Sequence, residues 1–218
     1  MLDECRQRRG LSPLSTPAPA RAPERLRLAV YAAPERPPLS VGLLCRLLAG
    51  HAPVWCRAHL HSSCAAPPAA AAAARLLPAQ NGGSPAAAAL HLTLVWRSGG
   101  RPLETVVSPL AAPPLQGEAV AARLLARLLH RWRPRLYAES PAVDAWLDQA
   151  DELLAAGADR KARAALVSAA AAALAGRRWL LAGDEPTLAD VVVWSALTQL
   201  DAVSAPLRRW ADAVAALA

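Results

Sequence analysis

His59 and His61 stand two residues apart in the run Val54 to His61, whose alternation and β-branched or aromatic content predict a strand. Residues so spaced share one face of a strand. The pair therefore offers half of a tetrahedral zinc site, to which His91 on a later predicted strand or nearby Cys64 would have to add ligands. No acidic or cysteine partner is spaced to complete the set, so a strand end turned to solvent or to a partner is preferred and no metal is expected. Neither a phosphate-cradling glycine loop nor a sequence-local Ser/His/Asp pattern is present. Cys5, Cys45, Cys56 and Cys64 include no CxxC pair, which predicts free thiols.

Thr187 and Asp190 carry the strongest local signal. Their S/T-x-x-D spacing lets the Thr hydroxyl accept from the Asp190 amide while the Asp carboxylate reaches back to the Thr187 amide. The carboxylate also sits where the helix dipole favours negative charge. Pro186 and Val191 flank the box as a hydrophobic staple. Val192, Val193, Trp194 and Leu197 make the helix that follows apolar on most faces, as a central core helix is.

The elements that position these groups follow from periodicity. Residues 1–25, rich in Arg, Ser and Pro, predict a disordered lead-in. A strand is expected at Leu26 to Tyr31, a helix at Leu39 to Leu48, a strand at Val54 to His61 and a helix at Ala69 to Leu77. Gln80 to Pro85 is a turn cluster, and Leu90 to Trp96 is a strand. The Ser98-Gly99-Gly100-Arg101-Pro102 segment predicts a hairpin loop returning through Thr105 to Val107. A helix spans Glu118 to His130. That order is thioredoxin-like over residues 26–135, and residues 136–218 read as an all-helical subdomain. The fold class is thus α/β plus all-α.

Charge is divided between these parts. Residues 1–138 hold 17 Arg against 6 acids, a balance of +11, whereas residues 139–218 hold 7 Arg or Lys against 11 acids, a balance of −4. Such a split suits polar contact between halves or with charged partners. The Arg are dispersed along the chain without interleaved aromatic residues, so no direct nucleic-acid binding is expected. No run approaches membrane-spanning length and Met1 to Arg6 lacks signal-peptide order, so a soluble, cytosolic protein is expected, with the nucleus left open.

A capping box behind Leu181-Ala182-Gly183, leading a buried helix after a thioredoxin-like half, resembles the carboxyl domain of the glutathione transferase superfamily. The resemblance implies three seats for the peptide thiol. Tyr31-Ala32-Ala33-Pro34 occupies the first, where a phenol could donate to a thiolate. Pro85 lies several residues before the strand at Leu90 rather than directly at its start, and Gln116-Gly117 stands where that family has Gln-Ser or Glu-Ser. Loss of two anchoring groups removes several kcal/mol of binding, so no catalytic residue, cofactor or enzymatic activity is expected.

Pro37-Pro38-Leu39-Ser40, His59-Leu60-His61-Ser62-Ser63, Leu92 to Trp96, Asp144 to Asp148 and Leu181 to Ser195 together resemble the family of aminoacyl-tRNA synthetase complex-interacting multifunctional protein 2, from about Leu26 to Trp210. This resemblance implies a non-catalytic scaffold whose transferase-like domain binds glutamyl-prolyl-tRNA synthetase and aspartyl-tRNA synthetase. It also implies regulatory roles in cell death and ubiquitin-dependent turnover. Residues 1–25 match neither the family's lysyl-tRNA synthetase peptide nor its leucine zipper, which leaves lysyl-tRNA synthetase without a matching segment. Implied interface residues are Arg123, Leu124 and Arg127 on one helix and a reciprocal contact between Asp144 and Arg209, with a homodimer left open. An active transferase and a transferase-like module of an elongation factor are the competing readings; the His-Ser-Ser segment favours the scaffold over the latter.

Overall fold

The computed structural model describes residues 26–64, 77–78, 87–99, 101–107, 113–137, 140–155 and 159–217. Strands β1 (Leu26–Ala32), β2 (Val54–Leu60), β3 (Leu90–Trp96), β4 (Glu104–Val106) and β5 (Leu115–Gln116) form one sheet in the order β2-β3-β1-β4-β5. Helix α1 (Leu39–Ala49) lies between β1 and β2, and α2 (Glu118–Leu129) follows β5. Then come α3 (Pro141–Ala155), α4 (Arg160–Ala173), α5 (Leu188–Gln199), a 3-10 turn at Ala205–Leu207 and α6 (Arg208–Ala215). This is a thioredoxin-like half followed by a helical half, the transferase-like architecture read from the sequence.

The sheet departs from expectation in one respect. β3 and β4 do not form a hairpin, because β1 lies between them, parallel to β3 and antiparallel to β4. Seven residue pairs join β1 to β3, and their alternation puts Leu28, Val30, Leu92 and Leu94 on one buried face. A hairpin with the three-residue β4 would forgo that ladder, so the longer apolar pairing prevails over the loop signal. The turn after β3 instead crosses the end of β1, where the Arg97 amide donates to the Ala32 carbonyl at 2.9 Å. β5 was not foreseen; two residues are too few to show a period. The expected helix at Ala69 to Leu77 and turn at Gln80 to Pro85 fall almost wholly outside the described residues, as does the lead-in at 1–25.

One continuous apolar core joins the halves. α1 and α2 pack against each other, and both meet α5. α1 buries Val41, Leu43, Leu44, Leu47 and Leu48, and α5 buries every residue from Leu188 to Leu197. α5 has no polar face because α1, α2, α3 and α6 surround it.

Candidate functional site

A cleft of about 330 Å³ opens where the end of β1, the segment before β4, the β5–α2 junction and α3 converge. Arg36, Arg101, Pro102, Gln116, Gly117 and Asp151 are among its walls. Pro102, not Pro85, precedes the strand antiparallel to β1, because that strand is β4. Tyr31 is not in the wall. Strand alternation turns Ala32 toward the cleft and sends the phenol to the other face, where the Arg97 guanidinium lies 5.2 Å from the ring centroid. The sequence-based placement of Tyr31 in the thiol seat is therefore corrected.

The start of α2 is filled from within. Gly117 is the N-cap, with φ +98, and offers no side chain to the exposed helix amides. The Asp151 carboxylate, carried by α3, takes that role: Oδ1 accepts from the Ala119 amide at 3.1 Å. A Cβ added at Gly117 would lie 2.5 Å from Asp151 Oδ2. Any side chain at this position would force the Asp151 carboxylate to shift. Helix N-termini attract anions, and here the chain supplies its own. Burial pushes the Asp151 carboxyl above its ordinary range, and backbone donors at Ala119 and Glu118 oppose the shift.

Glu118, the first residue of α2, is buried at the seam between the halves. Its carboxylate accepts from the Ser40 amide at 3.2 Å, from the Ser40 and Ser195 hydroxyls, and from Gln199 Nε2 at 2.7 Å. α1, α2 and α5 are thereby tied at one point. Burial pushes the Glu118 carboxyl up from its ordinary 4.5, and the Ser195, Ser40 and Gln199 donors pull the other way. Sequence reading missed both acids, since a lone Glu or Asp on a helix carries no mark of burial.

Thr187 and Asp190 close a capping box at the start of α5. Asp190 is fully buried and accepts from the Thr187 amide at 2.9 Å and the Thr187 hydroxyl at 3.1 Å. Its other oxygen receives the Leu180 amide at 2.8 Å and Trp210 Nε1 at 2.9 Å. One carboxylate thus joins the preceding loop, α5 and α6.

Among the candidate interface residues, Arg123 and Asp144 meet as an ion pair between α2 and α3 on a part-exposed surface. Leu124 is half-buried beside them. Arg127 Nε donates to the Tyr137 hydroxyl at 3.0 Å, and Arg209 is exposed on α6. Within the chain Asp144 thus pairs with Arg123. The histidines do not assemble. His59 lies opposite Val95 and His91 opposite Trp55, four positions apart along the ladder and so about 13 Å distant. His61 Nδ1 contacts the Ser63 hydroxyl at 2.9 Å, and no cluster able to hold a metal occurs among the described residues. Cys45, Cys56 and Cys64 are buried thiols outside any disulfide. A hydrogen bond with Cys56 and burial push the Cys45 thiol well up, away from nucleophilic chemistry.

Residues 25–116 match the family model described as a thioredoxin-like domain. The chain is 33% identical over 188 residues to the human protein named aminoacyl tRNA synthase complex-interacting multifunctional protein 2, an alignment covering 84% of this chain and 57% of that protein. The bovine protein of the same name is 31% identical over 173 residues, 79% of this chain and 52% of its own length. The chain thus spans a little over half the length of these curated relatives. They are the proteins to which the sequence segments pointed. A solved structure from work titled "Structural basis of yeast aminoacyl-tRNA synthetase complex formation revealed by crystal structures of two binary sub-complexes" overlays with a TM-score of 0.49 at 12% identity, covering 86% of this chain and 85% of that one.

Proposed function

We propose that this chain is a non-catalytic scaffold module of a multi-aminoacyl-tRNA-synthetase assembly, acting through outer helix faces rather than through its cleft. The observation that carries the reading is Asp151 seated on the amides at the start of α2, in the space that Gly117 leaves open. A ligand carboxylate seeking those amides meets an anion already in place, and like charges that close repel. Removal of Tyr31 to the opposite sheet face withdraws the phenol as well. The names of the relatives supply the partner class, aminoacyl-tRNA synthetases held in a complex. Glutamyl-prolyl- and aspartyl-tRNA synthetases are the specific partners proposed, and cytosol is the proposed location.

Arg123, Leu124 and Asp144 form a surface where a half-buried leucine sits beside a charged pair. A docking partner able to re-pair those charges would gain bidentate contacts at a planar guanidinium. Co-purification of the tagged chain from a cell lysate, with mass identification of what comes with it, tests the proposal. Synthetases in stoichiometric amount are expected; their absence refutes it. Asp144→Arg should weaken capture severalfold; in a homodimer built on a two-fold Asp144–Arg209 contact, adding Arg209→Asp to the same chain should restore self-association. Retention on immobilised glutathione with turnover of a chlorinated aromatic would overturn the non-catalytic reading.

A further inference from the structure

The segment leaving α2 concentrates basic charge that elsewhere is spread along the chain. Residues 127–137 read Arg-Leu-Leu-His-Arg-Trp-Arg-Pro-Arg-Leu-Tyr, four arginines and three aromatic or imidazole rings without an acid. Locally, the expectation of arginines without interleaved aromatics does not hold. Trp132 keeps 39% of its surface in solvent although it is large and apolar. Its ring stacks on that of exposed His51 from the turn after α1, with centroids 5.3 Å apart and planes 6° from parallel. Beside it His130 meets the Tyr137 ring edge-on at 5.2 Å, and the Arg127 guanidinium lies 5.9 Å from the same ring.

Arg131, Arg133 and Arg135 are all exposed, and among the described residues none of them makes an ion pair. Glu185 shares a small depression with Arg133, and Arg135 reaches toward Gly183. Solvated arginines around an exposed, parallel ring pair have a matching ligand chemistry: phosphates for the guanidinium groups and flat unpaired bases for the rings. An acidic peptide would satisfy the charges and leave the rings unused. A double helix would present phosphates with its bases already stacked.

We propose that the surface formed by His51, His130, Arg131, Trp132, Arg133 and Tyr137 binds a single-stranded nucleic acid, with Trp132 extending a base stack and the arginines holding the backbone. This inference stands apart from the scaffold reading and succeeds or fails without it. Fluorescence anisotropy of a short labelled oligouridine titrated with the full chain at low salt provides the test. Binding that weakens with added salt is expected. Trp132→Ala should weaken it about tenfold, measured well below the variant's thermal midpoint, which loss of the His51 stack lowers. Arg131→Gln with Arg133→Gln should lower the slope of log affinity against log salt by roughly 1.4, a readout that survives any structural role of the tryptophan. The proposal is overturned by no anisotropy change with the parent chain, by equal affinity of the Trp132→Ala chain, or by an unchanged salt slope in the double variant. It is equally overturned if a duplex of the same length, polyglutamate or phosphatidylserine vesicles compete as well as unlabelled oligouridine.

Discussion

Two helices of this chain begin at a carboxylate, fully buried in one and half-buried in the other, and they obtain it from different distances. α5 takes its cap from Asp190, three residues beyond Thr187, while α2 borrows Asp151 from another helix 32 positions beyond Ala119. The first arrangement is local and self-sufficient: box, dipole and staple are written into consecutive residues. The second exists only after α2 and α3 have docked. A helix start satisfied from afar couples two elements, and in this chain it also occupies the mouth of the cleft. Glu118 extends the same logic by tying α2 to α1 and α5.

On this contrast the largest loss should follow removal of Asp190. Asp190→Ala strands two backbone amides, an indole and a hydroxyl inside the core and should cost about 3–5 kcal/mol, measured by urea unfolding. A cost below that of the α2 variants would break the comparison. Gly117→Ser should come next, at about 2–3 kcal/mol, from a strained φ and collision with Asp151. Adding Asp151→Ala should return part of that loss, since the two residues compete for one space. Strict additivity in the double variant would mean they do not.

Glu118 sharpens the comparison through pH. Its folded-state pKa lies above the unfolded value, so the folded chain binds the extra proton. That contribution is fully present below the ordinary value of 4.5 and is lost as pH rises through the folded value. Asp151 tilts stability the same way. Glu118→Gln should therefore cost more at pH near 4.5 than at neutral pH; denaturation midpoints that shift equally at both would contradict it. The smallest effect belongs to Thr187→Ala, about 1 kcal/mol, because Asp190 keeps its Leu180 and Trp210 donors when the hydroxyl is gone.

What was legible in the sequence follows the same division. The capping box and the alternation of β1 and β3 depend on neighbours within a few positions, and the residues themselves state them. The partner of β4 does not depend on neighbours: a short Gly-rich loop predicts a hairpin, but the sheet selects the longest apolar ladder available. Tyr31 was misplaced because a strand's facing flips with each residue, so one position decides between cleft and far face. Asp151 and Glu118 were invisible because nothing near them in sequence distinguishes a buried acid from a solvated one. The Arg-Trp-Arg-Pro-Arg segment is plain in the sequence, and only a net charge taken over 138 residues conceals it.

The position of β3 between β1 and β2 has a consequence for how the chain emerges from the ribosome. β1 and β2 are synthesised first, yet neither touches the other in the finished sheet; each waits for β3 to slide between them. Every pairing in the sheet needs β3 or a later strand, so none of its final ladders can form until Trp96 has cleared the exit tunnel.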